Sequence, residues 1–278
     1  MGPVDAVAVR PTLRPQAVGE LLDAAMGLLK ERPRAVLTVT AVFVLPTQLL
    51  AAFVQRDVLS SASFSEIFND PTLAGSTTSS ANTGLVFLAG LLPSMVLPFV
   101  AGALGRLVAA WQAGGEVSTG AALGAAGRKW WALLLAWLLT HLAEGVALLA
   151  FLFPAVLLMA LWQVAAPAIV VEDLGPIRGL RRSQRLAGTR FWPVVLAVLA
   201  AGFVHYVLNA MLPFVFQLVA QALGADGGWI VLGVGGAVTN LVTTAFLAGF
   251  AVVLYLDLRV RSEGLDLQLE ADRHFAGP

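Results

Sequence analysis

The chain has 278 residues, of which 58% are hydrophobic and 12% charged, and its formal net charge is zero. Soluble domains are about 45–50% apolar and about 25% charged, so we expect most of this surface to face lipid. The composition predicts an integral membrane protein, and the zero net charge provides no global field to attract nucleic acid. The absence of cysteine excludes disulfides, thiolate metal sites and cysteine nucleophiles.

The N-terminal segment mixes polar and apolar residues. No basic stretch followed by an apolar one is present, so a cleavable signal peptide is not expected. Residues 16–31 have the pattern of a short amphipathic helix that lies at a membrane interface.

Six apolar runs follow, each long enough for the roughly 20-residue helix that crosses a hydrocarbon core of about 30 Å. The predicted spans are 35–55, 84–105, 130–149, 152–171, 192–215 and 230–256. The third and fourth are nearly continuous, and we divide them near Pro154 because proline disrupts a helix interior. The predicted fold is all-α: one membrane domain over 1–278, with six transmembrane helices, short amphipathic cytoplasmic helices, a polar loop over 56–83, a Gly-rich turn over 224–228 and a cytoplasmic tail over 258–278.

The basic residues predict the orientation of these spans. Of the 17 Lys and Arg residues, only Arg56 falls in a segment on the far side of the membrane. This is the positive-inside pattern, with both termini cytoplasmic. Trp130, Trp131 and Trp192 stand at the cytoplasmic starts of spans, as an aromatic belt requires.

Two stretches align without gaps at an offset of 61 residues: "AAGRKWWALLLAWLL" (125–139) and "LAGTRFWPVVLAVLA" (186–200). The segment before the first span repeats the plan more loosely. We interpret the chain as three hairpins, each an interfacial helix followed by an out-and-back pair of spans. Either an internal duplication or the shared requirements of membrane entry explains the similarity.

A short basic helix is predicted over 175–188. Four of its arginines are spaced i, i+3, i+4, i+7, so they share one stripe on a helix of 3.6 residues per turn; they are Arg178, Arg181, Arg182 and Arg185. Small and apolar residues occupy the other side, namely Gly179, Leu180, Ser183 and Ala187. Arg190 follows directly after this helix and is grouped with the stripe as a candidate residue for binding lipid or a partner.

Three interpretations of the arginines remain open. They anchor the chain to anionic head groups, at roughly 1 kcal/mol per basic residue; or they form a docking face for an acidic partner or a phosphate; or they pair internally with Glu172, Asp173, Asp257 or the acidic tail. Nucleic acid is not expected as a partner, because no base-stacking platform accompanies the stripe.

The sequence resembles a known family in three stretches: "LRPQAVGELLDAA" (13–25), "VVEDLGPIRGLRRSQRLAGTRFWPV" (170–194) and "LYLDLRVRSEGLDL" (254–267). They are similar to motifs of the bacterial six-span glycerophosphoryl diester phosphodiesterase membrane-domain proteins. The resemblance implies a multi-pass protein of the bacterial inner membrane. Some members carry a catalytic barrel of about 250 residues, whereas about twenty residues follow the last span here. We therefore expect no enzyme activity and no cofactor.

Polar residues inside the spans are a second candidate site, because intramembrane ionisable groups are costly. The ionisable ones are His141, Glu144 and His205, and amides accompany them at Gln48, Asn209 and Asn240. Glu144 lies about 22 Å beyond Lys129, and His205 about 22 Å beyond Arg190, at a rise of 1.5 Å per residue. A buried hydrogen-bonded pair, a transport or proton-linked site and a metal site of His141, Glu144 and His205 are the alternatives.

Two functional hypotheses follow. The first is a non-catalytic scaffold or subunit that binds anionic lipid, or a membrane or cytoplasmic protein partner, at the arginine-lined cytoplasmic face. The alternative is a small transporter or channel that uses the intramembrane His/Glu layer.

Overall fold

The computed structural model describes residues 14–54 and 80–275. These residues form helices and connecting turns, with no strand among them. The helices are, in chain order, α1 (Val18–Glu31), α2 (Pro33–Val54), α3 (Ser80–Gln112), α4 (Thr119–Arg128), α5 (Trp130–Ala150), α6 (Leu152–Trp162), α7 (Ala165–Val171), α8 (Pro176–Gly188), α9 (Phe191–Glu263) and α10 (Leu265–Phe275). The all-α prediction is confirmed for this part of the chain.

Six segments are long and apolar enough to cross a membrane, as the composition predicts. They are Pro33–Ala51, Ser94–Gln112, Trp130–Leu149, Leu152–Val171, Phe191–Leu223 and Ile230–Glu263. The second ends at Gln112 rather than at residue 105, because the chain beyond the lone charge of Arg106 remains apolar and helical. Arg56 and loop residues 56–79 lie outside the described residues, and 80–83 begin α3.

Prolines set two helix breaks near the middle of the chain. The predicted division near Pro154 is confirmed: α5 ends before Phe151, which is extended (φ −176°, ψ 156°), and α6 begins at Leu152. A second break, which was not predicted, separates α6 from α7 at Gln163 and Val164. Pro167 explains it, because its ring would clash with the carbonyl of residue 163 in a continuous helix.

The longest helix, α9, reverses direction while its backbone stays helical. A Cβ atom on Gly235 would lie 2.5 Å from Cγ of Phe216, although residues 19 apart in a straight helix are separated by roughly 28 Å. A Cβ on Gly228 would lie 3.0 Å from the carbonyl oxygen of Ala220. The chain therefore folds back between these contacts, where the Gly-rich turn over 224–228 is predicted.

The chain forms two compact units. The first contains described residues of 14–39, 98–201 and 246–275, and the second contains those of 40–54, 80–97 and 202–245. In the first unit α3 and α7 approach closely through glycine. A Cβ on Gly102 would come within 2.6 Å of Val170, and one on Gly105 within 3.1 Å of Pro167. In the second unit Gly235 provides the same kind of contact with Phe216.

The same local arrangement occurs three times in the first unit. Each time, a short helix is followed by one basic residue with a non-helical backbone, and a long apolar helix begins within the next few residues. The basic residues are Arg32, Lys129 and Arg190. These positions are related by offsets of 97 and 61 residues. At the same offsets the buried positions coincide: Ala25 with Ala122 and Ser183, and Leu28 with Ala125 and Leu186. The 61-residue alignment therefore corresponds to a shared local structure.

The C-terminal segment is more helical than predicted. The last span was expected to end at residue 256, but α9 continues to Glu263. Gly264 then takes a left-handed conformation (φ +63°), which glycine adopts without a Cβ penalty. α10 follows at once, so the predicted tail over 258–278 is helical as far as Phe275.

Candidate functional site

The arginine-rich helix α8 is held in place by its small and apolar face. Pro176 occupies its first turn, where the missing N–H removes no helical hydrogen bond. The buried residues are Gly179, Leu180, Ser183, Leu186 and Ala187, which confirms the predicted division of the helix into two faces.

Two contacts fix the rotation of α8 about its axis. Gly179 lies so close to α7 that a Cβ there would be 2.2 Å from Cγ1 of Ile169. The Ser183 hydroxyl is fully buried and donates to the carbonyl oxygen of Leu161 on α6 at 2.7 Å. With this face against α6 and α7, three arginines of the stripe point away from the packed side, namely Arg178, Arg181 and Arg185.

The arginines line an open recess of about 820 Å³ in the first unit. Its lining residues are Glu172, Leu174, Arg178, Arg181, Arg182, Gln184 and Arg185. Arg178, Arg181 and Arg185 are exposed, and they form no hydrogen bond or ion pair with any residue in the described ranges. We call these three the recess arginines.

Arg182 is placed differently from the recess arginines, because its side chain is only 16% exposed. Its Nε donates to both carboxylate oxygens of Glu172, at 3.0 and 2.8 Å. Its Nη2 lies 2.5 Å from Oε1 of Glu263. Burial by itself lowers the pKa of Arg182, but the hydrogen bonds and charges of the two glutamates outweigh it and raise the pKa above its ordinary value.

The same carboxylates bind two further residues of α9. The Tyr255 hydroxyl, on a fully buried side chain, donates to Glu172 at 2.8 Å. Arg259 donates from Nε to Glu263 at 2.9 Å and from Nη1 to the Tyr255 hydroxyl at 3.2 Å. Together with Arg182, these residues form what we call the charged network: Glu172, Arg182, Tyr255, Arg259 and Glu263.

The charged network joins the end of α7, the stripe of α8 and the last turns of α9. Internal pairing, one of the three interpretations of the stripe, is therefore confirmed for Arg182. Sequence reasoning included Glu172 and the acidic tail as candidate partners, but it did not identify Tyr255 or Arg259. Arg182 holds α8 to its neighbours, whereas the recess arginines are available to a ligand.

Arg190, grouped with the stripe in the sequence, lines a different cavity. It lies at the break before α9 and borders a cavity of about 420 Å³ between α1 and α9. Asp257 forms an ion pair there with Arg261, whose Nε lies 2.9 Å from Oδ2 of Asp257. The pair also binds the backbone of Gln16: its N–H donates to Asp257 at 2.7 Å, and its carbonyl accepts from Arg261 at 2.7 Å.

One exposed ion pair joins the start of α5 to the end of α7. Lys129 Nζ lies 2.7 Å from Oδ1 of Asp173 and donates to its carbonyl oxygen at 3.1 Å. Asp173 is left-handed (φ +54°), a conformation that Asp tolerates better than most residues. The Leu174 N–H closes the turn on the Ile169 carbonyl at 2.9 Å. The hydrogen bond from Lys129, followed by its charge, lowers the pKa of Asp173.

Most polar side chains inside the spans bond to their own helix. His141 Nδ1 is 3.0 Å from the Trp137 carbonyl oxygen. Asn209 donates to the His205 carbonyl at 2.9 Å, and Asn240 to the Gly236 carbonyl at 3.0 Å. Each contact reaches four residues back along the chain. A histidine or amide is thereby satisfied without a neighbouring helix.

The predicted layer is divided between the two units. His141 and Glu144 belong to the first unit, whereas Gln48, His205, Asn209 and Asn240 belong to the second. Gln48 is buried and packs near Gly236, and Glu144 is half-buried. Within the described ranges, no group of three or more His, Asp or Glu side chains has the arrangement of a metal site.

Comparison with known proteins adds one match. Residues 141–258 match the model of a protein family described as a domain of unknown function (DUF7847). No curated protein and no solved structure matches the chain significantly. The matched region includes all of α8 and the recess, but the family description assigns it no activity. The resemblance to glycerophosphoryl diester phosphodiesterase membrane-domain proteins stays a prediction.

Proposed function

We propose that this is a non-catalytic integral membrane protein that binds anionic phospholipid head groups at the recess. The observation that carries the proposal is the convergence of three exposed guanidinium groups on one recess of about 820 Å³. A planar guanidinium presents paired donors that match phosphate oxygens. The N–H donors of the recess arginines are free to bind a phosphate, because the nearby carboxylates of Glu172 and Glu263 are bound to Arg182.

The proposed setting is a bacterial inner membrane, with the recess and both termini on the cytoplasmic side. The distribution of Lys and Arg supports this orientation. Large apolar side chains are exposed along the candidate spans, such as Leu142 at 64%, Leu149 at 90% and Phe203 at 68%, as expected of helices that face lipid. Trp130, Trp131 and Trp192 are exposed at the helix starts, where an aromatic belt would lie.

The expected strength of the interaction follows from the number of free cations. Each basic residue near an anionic surface contributes roughly 1 kcal/mol. The recess arginines together contribute roughly 3 kcal/mol, which is about a hundredfold in affinity. Arg182 adds little to this sum, because two glutamates already neutralise its charge.

The test compares two triple variants of the full-length protein in nanodiscs of phosphatidylcholine with a minor share of an anionic phospholipid. Arg178→Gln/Arg181→Gln/Arg185→Gln removes the recess charges. Lys30→Gln/Arg106→Gln/Arg128→Gln removes the same charge from other exposed positions of the first unit. Native mass spectrometry counts the anionic lipids that each protein retains.

We expect the recess triple to lose anionic lipid by about tenfold or more, and the control triple to lose much less. Equal losses in both would reduce the effect to net charge and contradict a defined site. Retention of an acidic protein instead of lipid, abolished by the recess triple, would also overturn the proposal and identify a protein partner.

Transport by the intramembrane polar residues is not proposed. Local hydrogen bonds account for His141, Asn209 and Asn240. Glu144 and Gln48 form no hydrogen bond with a described residue, and a single carboxyl group does not define a pathway.

A further inference from the structure

The three recess arginines are spread along α8, and their spacing indicates which class of anionic lipid they bind. Arg178 and Arg185 are separated by about 10.5 Å along the helix axis, at a rise of 1.5 Å per residue, and Arg181 lies between them. We propose that the recess selects a lipid with two phosphates joined by a short linker, of the diphosphatidylglycerol (cardiolipin) class, over lipids with one phosphate. This inference rests on the proposed function, because it names the lipid that the same recess binds.

The oxygens of one phosphate are too few for the recess. A phosphodiester has two unesterified oxygens, and one planar guanidinium binds both of them as a bidentate pair. The recess offers three exposed guanidiniums without a hydrogen bond or ion pair to a described residue. A phosphodiester bound at Arg178 therefore leaves Arg185, two helical turns away, without an anionic partner. A second phosphate supplies that partner.

The charges in this region also match two phosphates better than one. The charged network contains two arginines and two glutamates, which bind each other, so it adds no net charge. The recess arginines carry three positive charges. A lipid with one phosphodiester neutralises one of them, whereas cardiolipin, with two phosphodiesters, neutralises two.

A linker between the two phosphates favours their joint binding. Two single-phosphate lipids can fill the recess together, but each of them then loses its freedom of diffusion separately. When a glycerol joins the phosphates, binding of the first raises the effective concentration of the second. The recess volume of about 820 Å³ is near the upper end of the range for small-molecule sites. It therefore has space for a head group with two phosphates.

The neighbours of the recess favour a lipid over a soluble diphosphate. Glu172 and Leu174 line the recess, and Asp173 stands between them in sequence. The carboxylate of Asp173 lies 2.7 Å from the ammonium of Lys129. The next residue, Trp130, is 52% exposed, and exposed tryptophan at the start of a span is typical of the membrane–water interface. Lipid phosphates at that interface are therefore within reach of the recess.

The experiment offers the same amount of phosphate in different forms. The full-length protein is placed in nanodiscs of phosphatidylcholine that contain one cardiolipin for every two phosphatidylglycerol molecules, with identical acyl chains. A second set contains phosphatidic acid in place of phosphatidylglycerol. Native mass spectrometry measures which lipid stays bound after partial delipidation. For the wild type we expect cardiolipin to be enriched about fivefold or more over either competitor, the effect of one further arginine near a phosphate.

Three variants test whether both ends of the recess are needed. Arg178→Gln/Arg185→Gln leaves only the middle guanidinium, so the preference for cardiolipin should fall below about twofold. Arg181→Gln keeps both ends and should keep the preference, although less lipid is retained. Lys30→Gln/Arg34→Gln removes the same charge as the first variant from exposed positions of the same unit, and it should leave the preference unchanged. All five side chains are exposed, so the variants are expected to fold.

Equal enrichment of cardiolipin and phosphatidylglycerol by the wild type would overturn the proposal, and so would a preference that survives Arg178→Gln/Arg185→Gln. Stronger retention of phosphatidic acid would assign the recess to a single phosphomonoester instead. Displacement of bound cardiolipin by millimolar inorganic pyrophosphate would assign it to a soluble diphosphate.

The recess triple variant distinguishes this inference from the proposed function. If the triple variant loses phosphatidylglycerol while the wild type shows no preference for cardiolipin, only the selection of two phosphates is wrong. If the triple variant retains both lipids as well as the wild type does, the recess is not a lipid site and both proposals are wrong.

Discussion

Polar side chains are satisfied in two different ways in two regions of this protein. In the charged network and around Gln16, hydrogen bonds join residues far apart in sequence: Gln16 and Asp257 are separated by 241 positions, and Glu172 and Tyr255 by 83. Inside the apolar spans, Asn209 and Asn240 bond four residues back on their own helices. The first kind of contact specifies which helices pack together. The second kind only makes a polar residue tolerable in a membrane.

Removing a contact of the first kind should cost the most stability. Arg182→Ala should destabilise the folded protein by about 2–4 kcal/mol, because it leaves Glu172 and Glu263 half-buried without their shared partner. Arg181→Ala, the adjacent exposed arginine, should change stability by no more than about 0.5 kcal/mol. Thermal unfolding of both variants in the same detergent measures the difference.

Similar losses for Arg181→Ala and Arg182→Ala would contradict the distinction between a paired and a free arginine. In that case the stripe would act through its total charge, and the network geometry would not matter. A large loss for Arg182→Ala alone would support the assignment of Arg182 to packing and show that Arg181 is not needed for it.

Contacts within one helix could be predicted from the sequence, whereas contacts between helices could not. The faces of α8 follow from a periodicity of 3.6 residues, so the burial of Gly179 and Ser183 was predictable. The Asp257–Arg261 pair is an i, i+4 contact and was predictable for the same reason. The contacts of Arg182 with Glu172 and Glu263 join three helices, and no local pattern ranks them above other acidic partners. Sequence reasoning could therefore propose that Arg182 pairs internally, but not with which residues.

The two helix breaks also show that local sequence patterns identify some features and miss others. The break near Pro154 was predicted from a proline between two apolar runs. The break at Gln163 and Val164 was missed, although Pro167 is visible in the sequence, because the apolar run continues through it without a change in composition. Arg190 was misplaced in the same way. Its proximity to the stripe in sequence suggested a shared surface, but α8 ends before it and Arg190 lines a different cavity.

A smaller effect is expected inside the spans. Asn209→Leu and Asn240→Leu each remove a hydrogen bond to the residue four positions earlier, whose carbonyl still accepts within the helix. The expected change in stability is below about 1 kcal/mol, since side-chain hydrogen bonds inside membrane proteins average about 0.6 kcal/mol. Urea or thermal unfolding in lipid micelles measures it.

A loss of more than about 2 kcal/mol for either asparagine would contradict the distinction between local and long-range hydrogen bonds. It would mean that the amide has a second partner on another helix, of the kind found in the charged network. Thr243→Val is the matched control, because the Thr243 hydroxyl also donates only to its own helix, at the Thr239 carbonyl at 2.9 Å.

The smallest effect is expected at the exposed contact between Lys129 and Asp173, which joins two elements but is not buried. Because Lys129 lowers the pKa of Asp173 in the folded protein, the ionised carboxylate stabilises folding above its unfolded pKa of about 3.9. That contribution is lost as the pH falls through the lower, folded-state pKa. Asp173→Asn should therefore be slightly less stable than the wild type at pH 7, and the difference should shrink below about pH 4.

The melting temperatures of the wild type and Asp173→Asn between pH 7 and pH 2.5 measure this difference, with Asp23→Asn as the control at an exposed aspartate without an ion pair among the described residues. Asparagine also tolerates the left-handed backbone of residue 173, so the substitution changes the charge and leaves the turn intact. A pH-independent difference would point to the turn rather than the ion pair. If Asp173→Asn lost as much stability as Arg182→Ala, a contact between two helices would stabilise the protein whether or not it is buried. The charged network instead predicts that a large contribution needs both a contact between helices and its burial.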